Sequence, residues 1–288
     1  MLTEWIFAFL AAGANAGIGI SIKGAQTNGC RTSFYGVVGC IAGLFCVALF
    51  LPFLPFLPGP RWIAGAWGIG AVGGLCFAGA TALNVAANRM GSPSVAWSIA
   101  NMGLLVPILL GWCAGEPPVL QDLFMVIAFS MMLIALNRGT CSGRKSASGG
   151  WKYPLLLAMV FIVNGLVMLT FKWNQWAFPE ANKASMLCAA YATSAICFAI
   201  QSVLHGVSMP RKPEWSWGLF FGFMLAATQV LMQLSMKLPA AIVFPIVQGG
   251  SLLGGVLLMA FIFKEKLNLW KAAGILLGCL VIILSVVR

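Results

Sequence analysis

Ten long apolar segments, separated by short breaks, run along the whole chain. A helix needs about 20 mainly apolar residues to cross the hydrocarbon core of a bilayer, and each segment approaches that length. The breaks carry turn chemistry, such as the proline-rich stretch 52–60 and Glu116-Pro117-Pro118. The pattern predicts an all-α integral membrane protein with ten transmembrane helices. The predicted spans are residues 4–22, 32–51, 62–86, 93–112, 119–136, 153–172, 183–205, 214–234, 240–262 and 267–287.

Composition supports a surface that meets lipid. Of the 288 residues 61% are hydrophobic and 8% are charged, whereas a soluble domain carries roughly a quarter charged residues. The net charge of +11 comes from bases that stand singly between apolar runs, which is typical of topology signals rather than of nucleic-acid binding. Nine cysteines show no metal-ligand spacing. We therefore expect the lipid bilayer and a small molecule as partners, with no nucleic acid, no metal and no cofactor.

The two halves of the chain match at a constant offset of 149 residues, which brings polar landmarks together. The matched pairs are Asn15 with Asn164, Lys23 with Lys172, Gln26 with Gln175, Asn84 with Gln233, Asn88 with Lys237, and Glu116 with Glu265. The offset predicts a first five-helix repeat over residues 1–137, a polar linker over 138–152 and a second repeat over 153–288. Because five is odd, the second repeat enters the membrane inverted, as in many secondary transporters.

Counting bases gives the orientation. A cytoplasmic N-terminus would leave five Lys and Arg residues on the inside loops and twelve on the other face. The positive-inside rule therefore predicts both termini on the non-cytoplasmic side of the inner (plasma) membrane. Oligomeric state stays open, and a monomer is compatible with the pattern. A duplicated bundle that only anchors another component is the structural alternative.

Amides and indoles, rather than acids, occupy the middles of the spans. Each of the six acids lies at or near a predicted helix end, which argues against a cation/proton antiporter with a midmembrane carboxylate. A bare amide in hydrocarbon is costly unless it faces a partner helix or a cavity. We predict a substrate-binding cavity, with Trp67 and Trp97 as apolar walls. Its hydrogen-bonding residues would be Asn15, Asn84, Asn88, Asn101, Asn164, Gln229, Gln233 and Gln248.

Alternative roles stay open for the amides, for the lysines near helix ends and for the single histidine. The amides could instead be interhelical hydrogen bonds, worth about 0.6 kcal/mol each. Lys23, Lys172 and Lys237 near helix ends could attract a carboxylate or phosphate, although snorkelling into the headgroups is the favoured interpretation. His205, at the end of a span, is a candidate for proton coupling, with an interfacial role favoured. Glycines four residues apart, among them Gly70 and Gly74, predict close helix packing.

Motifs in both halves of the chain match the pattern of a known family. They are Pro239 to Pro245, Phe263 to Leu267, Gly274 and Gly278 in the second half, with Glu116, Trp67 to Gly70, Asn84 and Asn88 to Gly91 in the first. With these motifs the chain resembles the drug/metabolite transporter superfamily, in its EamA-like and sugar-porter branches. The resemblance implies a ten-helix fold and a central cavity lined by predicted helices 1, 3, 4, 6, 8 and 9. It also implies outward termini.

These observations favour a secondary transporter that moves a small polar metabolite by alternating access. The uncharged amides suit a neutral or zwitterionic solute, such as a sugar or amino acid. An organic anion bound by the lysines near helix ends is the alternative substrate. A polytopic membrane enzyme is less favoured, because the chain shows neither a central acid nor a nucleophile beside a base. A receptor or structural subunit is the third class.

Overall fold

The computed structural model describes residues 2–50, 64–90, 93–117, 119–140, 151–179, 183–204, 206, 209–262 and 269–287. Eleven helices and no strands occur in these ranges. The helices are α1 (Leu2–Thr27), α2 (Thr32–Phe50), α3 (Ala64–Met90), α4 (Pro93–Met102), α5 (Leu105–Cys113), α6 (Leu120–Thr140), α7 (Lys152–Ala177), α8 (Lys183–Leu204), α9 (Lys212–Ser235), α10 (Ala240–Ile262) and α11 (Leu269–Val287).

Seven helices in the described ranges are long and apolar enough to cross a membrane. They are α1, α2, α3, α7, α8, α9 and α10, and shorter apolar helices cover Ile99–Cys113, Leu120–Leu136 and Leu269–Leu284. Large apolar side chains face outward, including Phe261 (85% exposed) and Leu276 (72% exposed). The chain is therefore all-helical and compatible with a multi-pass membrane protein, and its division into ten spans stays a prediction.

The predicted span 93–112 is broken into α4 and α5. Gly103 and Leu104 separate the two helices in a tight turn. Their N–H groups donate to the Ala100 and Asn101 carbonyls, with N···O distances of 3.1 and 3.3 Å. In a continuous helix the N–H of residue 107 would donate to the Gly103 carbonyl, four residues earlier. Residue 107 is a proline and has no N–H, so this hydrogen bond cannot form. The proline thus accounts for a break that hydropathy alone does not reveal.

The division of the chain into two five-helix repeats at an offset of 149 residues, with the second repeat inverted, stays a prediction.

The chain forms two compact units that do not follow the sequence halves. Unit 1 combines Met1–Ala78 with Thr170–Lys237, and unit 2 combines Gly79–Leu169 with Leu238–Arg288. Each unit therefore takes segments from both predicted repeats. Helices α3 and α7 contribute to both units.

Glycines bring the helices of unit 1 into close contact. A Cβ on Gly43 would lie 2.8 Å from the Tyr191 ring, and one on Gly70 would lie 2.8 Å from the Ala189 Cβ.

A bidentate ion pair connects the residue before α2 to the first turn of α9. Arg31 donates from Nε to Glu214 Oε1 at 2.7 Å and from Nη2 to Glu214 Oε2 at 2.8 Å. This hydrogen-bonded carboxylate raises the pKa of the Arg31 guanidinium above its ordinary value.

Unit 2 is packed around α6, α10 and α11. Leu253 and Met132 lie against Gly278, where a Cβ would meet their side chains at 2.5 and 2.8 Å. The half-buried Glu116 accepts a hydrogen bond at Oε2 from the Ala240 N–H, 2.8 Å away. Since Ala240 is the first residue of α10, the carboxylate caps a helix N-terminus. The sequence signal of an acid at a span end therefore has a structural role here.

Candidate functional site

Two predicted amides lie buried on one face of α9 in unit 1. Gln229 is 9% exposed and Gln233 is 2% exposed, and they are separated by one helical turn. Both Oε1 atoms are buried without a hydrogen-bond partner among the described residues. The Gln233 Nε2 lies 3.2 Å from the Met186 sulfur, which is only a weak acceptor. These side chains therefore retain hydrogen-bonding capacity inside the unit.

The predicted amides of unit 2 show a different pattern. Asn84 and Asn164 each donate from Nδ2 to the carbonyl four residues earlier, at 3.0 and 2.8 Å. The Asn84 Oδ1 is buried and has no partner in the described part of the chain. Asn101 is buried at the end of α4, and the Gln248 Nε2 lies 4.0 Å from the Met168 sulfur. Only Asn84 therefore shows an unsatisfied buried atom among these four.

The other predicted site residues are partly exposed or lie outside the described residues. Asn15 is half-buried in α1, and Trp67 is 39% exposed in α3. The side chains of Asn88 and Trp97 lie outside the described part of the structure. His205 also lies outside it. Unit 1 thus holds Asn15, Trp67, Gln229 and Gln233, and unit 2 holds Asn84, Asn101, Asn164 and Gln248.

Two buried lysines in unit 1 form a feature that the sequence did not predict. Lys172 is 3% exposed, and its Nζ donates to the Met236 carbonyl at 3.3 Å while lying 5.8 Å from the centre of the Trp176 ring. The favoured snorkelling interpretation is wrong for this residue, because its ammonium is enclosed by the protein. Lys183, the first residue of α8, is 6% exposed and donates to Gln175 Oε1.

Three contacts and the helical spacing between their residues place these lysines near a predicted amide. Lys172 contacts the Met236 carbonyl, three residues after Gln233. Gln233 contacts Met186, which lies three residues after Lys183 on α8. Lys183 contacts Gln175, which lies three residues after Lys172 on α7, and residues three apart on a helix share a face. We call Lys172, Gln175, Lys183, Met186 and Gln233 the lysine–amide cluster.

Asn174 is a second residue that sequence analysis missed. It is 0% exposed, and neither its Nδ2 nor its Oδ1 has a hydrogen-bond partner among the described residues. Its neighbours one turn away, Thr170 and Phe178, pack at Gly73 and Gly65 of α3. Asn174 shares their face of α7 and therefore faces α3. Lys172 lies about 200° away around the helix axis, on the opposite face. It does not belong to the lysine–amide cluster.

The described acids agree with their predicted placement at span ends. Glu4, Asp122 and Glu214 lie in the first turns of α1, α6 and α9, and Glu116 lies between α5 and α6. No group of three His, Cys, Asp or Glu residues that could hold a metal ion occurs in the part of the chain that was described. What the site offers is amide and ammonium groups, which bind through hydrogen bonds and charge.

Comparison with known proteins supports the fold alone. No protein-family model and no curated protein matches the chain. A solved structure described as "Crystal structure of protein" superposes on 100% of this chain and on 97% of its own, with a TM-score of 0.77 and 15% sequence identity. At that identity the similarity shows a shared arrangement of helices over the full length of the chain.

Proposed function

We propose that the chain is a secondary transporter that moves a small polar metabolite across the inner (plasma) membrane by alternating access. The proposal includes the ten-span arrangement of the drug/metabolite transporter superfamily, with inverted repeats and both termini on the non-cytoplasmic side. The constant offset of 149 residues between matching polar positions in the two halves of the sequence supports the duplication. Inverted repeats of this kind are a common basis for alternating access.

The observation that carries the proposal is the set of unsatisfied amide oxygens inside apolar helices. Gln229 and Gln233 in unit 1, and Asn84 in unit 2, each bury an oxygen without a partner in the described residues. A buried unsatisfied polar atom costs about 1–3 kcal/mol. A hydroxyl or ammonium group of a solute bound beside Gln229, Gln233 or Asn84 would donate to these oxygens and remove that cost.

Replacement of Gln229 by methionine distinguishes the two roles. Methionine has nearly the same shape, so the variant removes the polar atoms with little change in packing. If Gln229 serves a solute, we expect a thermal stability equal to or above wild type together with a loss of uptake. If Gln229 is a packing hydrogen bond, the variant should lose about 0.6 kcal/mol of stability and retain uptake.

The functional assay is flux into proteoliposomes, with sugars, amino acids, nucleosides, amines and organic anions as candidate solutes. Gln26→Met is the matched control, because Gln26 is an exposed amide on α1. Counterflow or accumulation of a solute that Gln229→Met lowers and Gln26→Met leaves unchanged supports the transporter. Chemical turnover of a solute without translocation would instead establish the competing membrane-enzyme hypothesis.

A further inference from the structure

Two amides of unit 2 are held in the same orientation by their own helices. Asn84 Nδ2 donates to the Ala80 carbonyl at 3.0 Å, and Asn164 Nδ2 donates to the Val160 carbonyl at 2.8 Å. A carbonyl oxygen can only accept a hydrogen bond, so the amide atom that faces it must be the nitrogen. The Oδ1 atom of each side chain therefore points away from the carbonyl that its nitrogen contacts.

These two oxygens lack donors in the described part of the chain. Asn84 Oδ1 is buried and accepts no hydrogen bond there. Asn164 is half-buried and makes its hydrogen bond to the described residues through its nitrogen. Each Nδ2 keeps one further N–H, whereas each Oδ1 keeps both of its lone pairs. An unmade buried acceptor is unfavourable, because it has lost water without gaining another donor.

A contact between α3 and α7 brings the two amides into one region of unit 2. A Cβ on Gly79 would lie 4.0 Å from Val163 Cγ1. Asn84 is bonded to Ala80, the residue after Gly79, and Asn164 is the residue after Val163. Buried apolar side chains of α3, α4 and α7 pack together in the same region. The two acceptor oxygens therefore belong to one apolar layer.

The described acids of unit 2 lie at helix ends and not in this layer. Glu116 Oε2 accepts from the Ala240 N–H at 2.8 Å, and Asp122 Oδ2 accepts from the Val119 N–H at 3.1 Å. An ammonium group enclosed among apolar helices would need an opposite charge beside it. An organic anion would face the partial negative charge of two amide oxygens. A neutral hydroxyl group donates to such oxygens without adding charge, so it is the best match.

We infer that Asn84 and Asn164 are fixed hydrogen-bond acceptors that select a neutral solute by its hydroxyl groups. The inference rests on the proposed function, because it names the groups by which the transported solute is recognised. The helix carbonyls of Ala80 and Val160 keep the amides from rotating, so their oxygens stay available to the solute. Polyhydroxylated solutes are thereby favoured over amines and organic anions.

Binding to the purified full-length protein in neutral detergent tests this selection without any flux. Glucose, glycerol, inositol, ethylamine and acetate are titrated at fixed pH and ionic strength, with calorimetry and thermal unfolding as readouts. We expect at least one of the three hydroxyl solutes to bind, and ethylamine and acetate not to bind. Asn84→Leu and Asn164→Leu should each weaken the affinity for that solute at least about tenfold, because its hydroxyl loses an acceptor.

Asn28→Leu is the matched control. Asn28 is an exposed residue whose Nδ2 donates to the Gly24 carbonyl, four residues earlier, at 2.8 Å. The control therefore removes the same kind of hydrogen bond to the helix backbone as the two test variants. It should bind the hydroxyl solute as wild type does.

Stability without solute separates recognition from packing. Asn84→Leu removes a buried oxygen that has no partner among the described residues, and the Ala80 carbonyl keeps the helical N–H of residue 84. This variant should therefore unfold at or above the wild-type temperature and lose only the solute-dependent rise. If Asn84→Leu fails to fold, Asn164→Leu at its half-buried position carries the test. Wild-type affinity in the folded leucine variants overturns the inference.

The remaining outcomes distinguish the inference from the proposed function. Acetate or ethylamine binding that Asn84→Leu abolishes would overturn the selection of neutral solutes, and so would a wild-type protein that binds none of the hydroxyl solutes. Hydroxyl-solute binding that the leucine variants weaken, without flux in proteoliposomes, would refute transport and leave the acceptor pair standing. Flux of a solute that the leucine variants bind as tightly as wild type would do the reverse.

Discussion

Gly70 couples the packing of α3 to the lysine–amide cluster. A Cβ at this position would lie 2.9 Å from the Met186 carbonyl carbon and 2.8 Å from the Ala189 Cβ, and closer still to the Met186 carbonyl oxygen. Met186 is the residue whose sulfur contacts Gln233, and it lies one turn after Lys183. Gly70→Ala should therefore disturb the stability of the protein and the position of Gln233 together.

The size of the effect follows from the contact distances. Carbon atoms in favourable contact lie about 3.5–4.0 Å apart, so α3 and α8 must separate by roughly 0.6–1 Å to admit the methyl group. The atoms in the way belong to backbone, which cannot move without shifting its helix. Overpacking of this kind costs about 1–3 kcal/mol. Alanine is favoured over glycine in a helix by about 1 kcal/mol, which offsets part of that loss.

Gly68→Ala is the matched control for this prediction. Gly68 is an exposed residue of the same helix, and a Cβ there would meet no atom within 4 Å. Both variants gain the same helical preference, so the difference between them isolates the clash. We expect Gly70→Ala to be less stable than Gly68→Ala by about 1–3 kcal/mol in thermal or denaturant unfolding in detergent.

Solute uptake by the same two proteins completes the test. A shift of the Met186 turn should lower uptake in Gly70→Ala and leave it unchanged in Gly68→Ala. Equal unfolding temperatures for the two variants would refute the close α3–α8 contact. A destabilised Gly70→Ala protein with wild-type uptake would show that Met186 does not position Gln233.

Three further predictions concern other contacts. Glu116→Gln should destabilise the protein by about 0.3–2 kcal/mol in thermal unfolding, because the charge at the N-terminus of α10 is lost while an oxygen for the Ala240 N–H remains. Glu214→Gln should lower the unfolding temperature by breaking the fork to Arg31, and a double-mutant cycle with Arg31→Met should show coupling between the two sites. Asn164→Ala should reduce uptake in proteoliposomes, and unchanged uptake and ligand affinity would remove Asn164 from the proposed site.

Hydropathy and turn chemistry predicted most helix positions. The predicted starts of the spans 32–51 and 240–262 are the first residues of α2 and α10. Helix α7 extends beyond its predicted span to Ala177 because helical hydrogen bonds continue into polar sequence after hydrophobicity falls. The break after α4 was missed, since a window of apolar residues does not register the absent N–H of Pro107.

The candidate site was harder to predict because burial depends on neighbouring helices. Lys172 lies near the end of a span, where a lysine can reach the headgroups by extending its stem. The sequence does not reveal that the Met236 carbonyl and the Trp176 ring enclose its ammonium. The spacing of Lys172 and Gln175 on one helix face was a usable signal, because a base and an amide three residues apart can share a ligand.

Helix α9 makes the predicted amides and the buried lysines parts of one surface within unit 1. Gln229 and Gln233 lie four residues apart, or about 6 Å along the helix axis. The Met236 carbonyl, which holds the Lys172 ammonium, follows about 4.5 Å further on. Neutral hydrogen-bonding groups thus occur first along this path, and positive charge occurs at its end. A compact solute whose hydroxyl or amino groups are spaced by about one helical turn matches the two amide oxygens along this path.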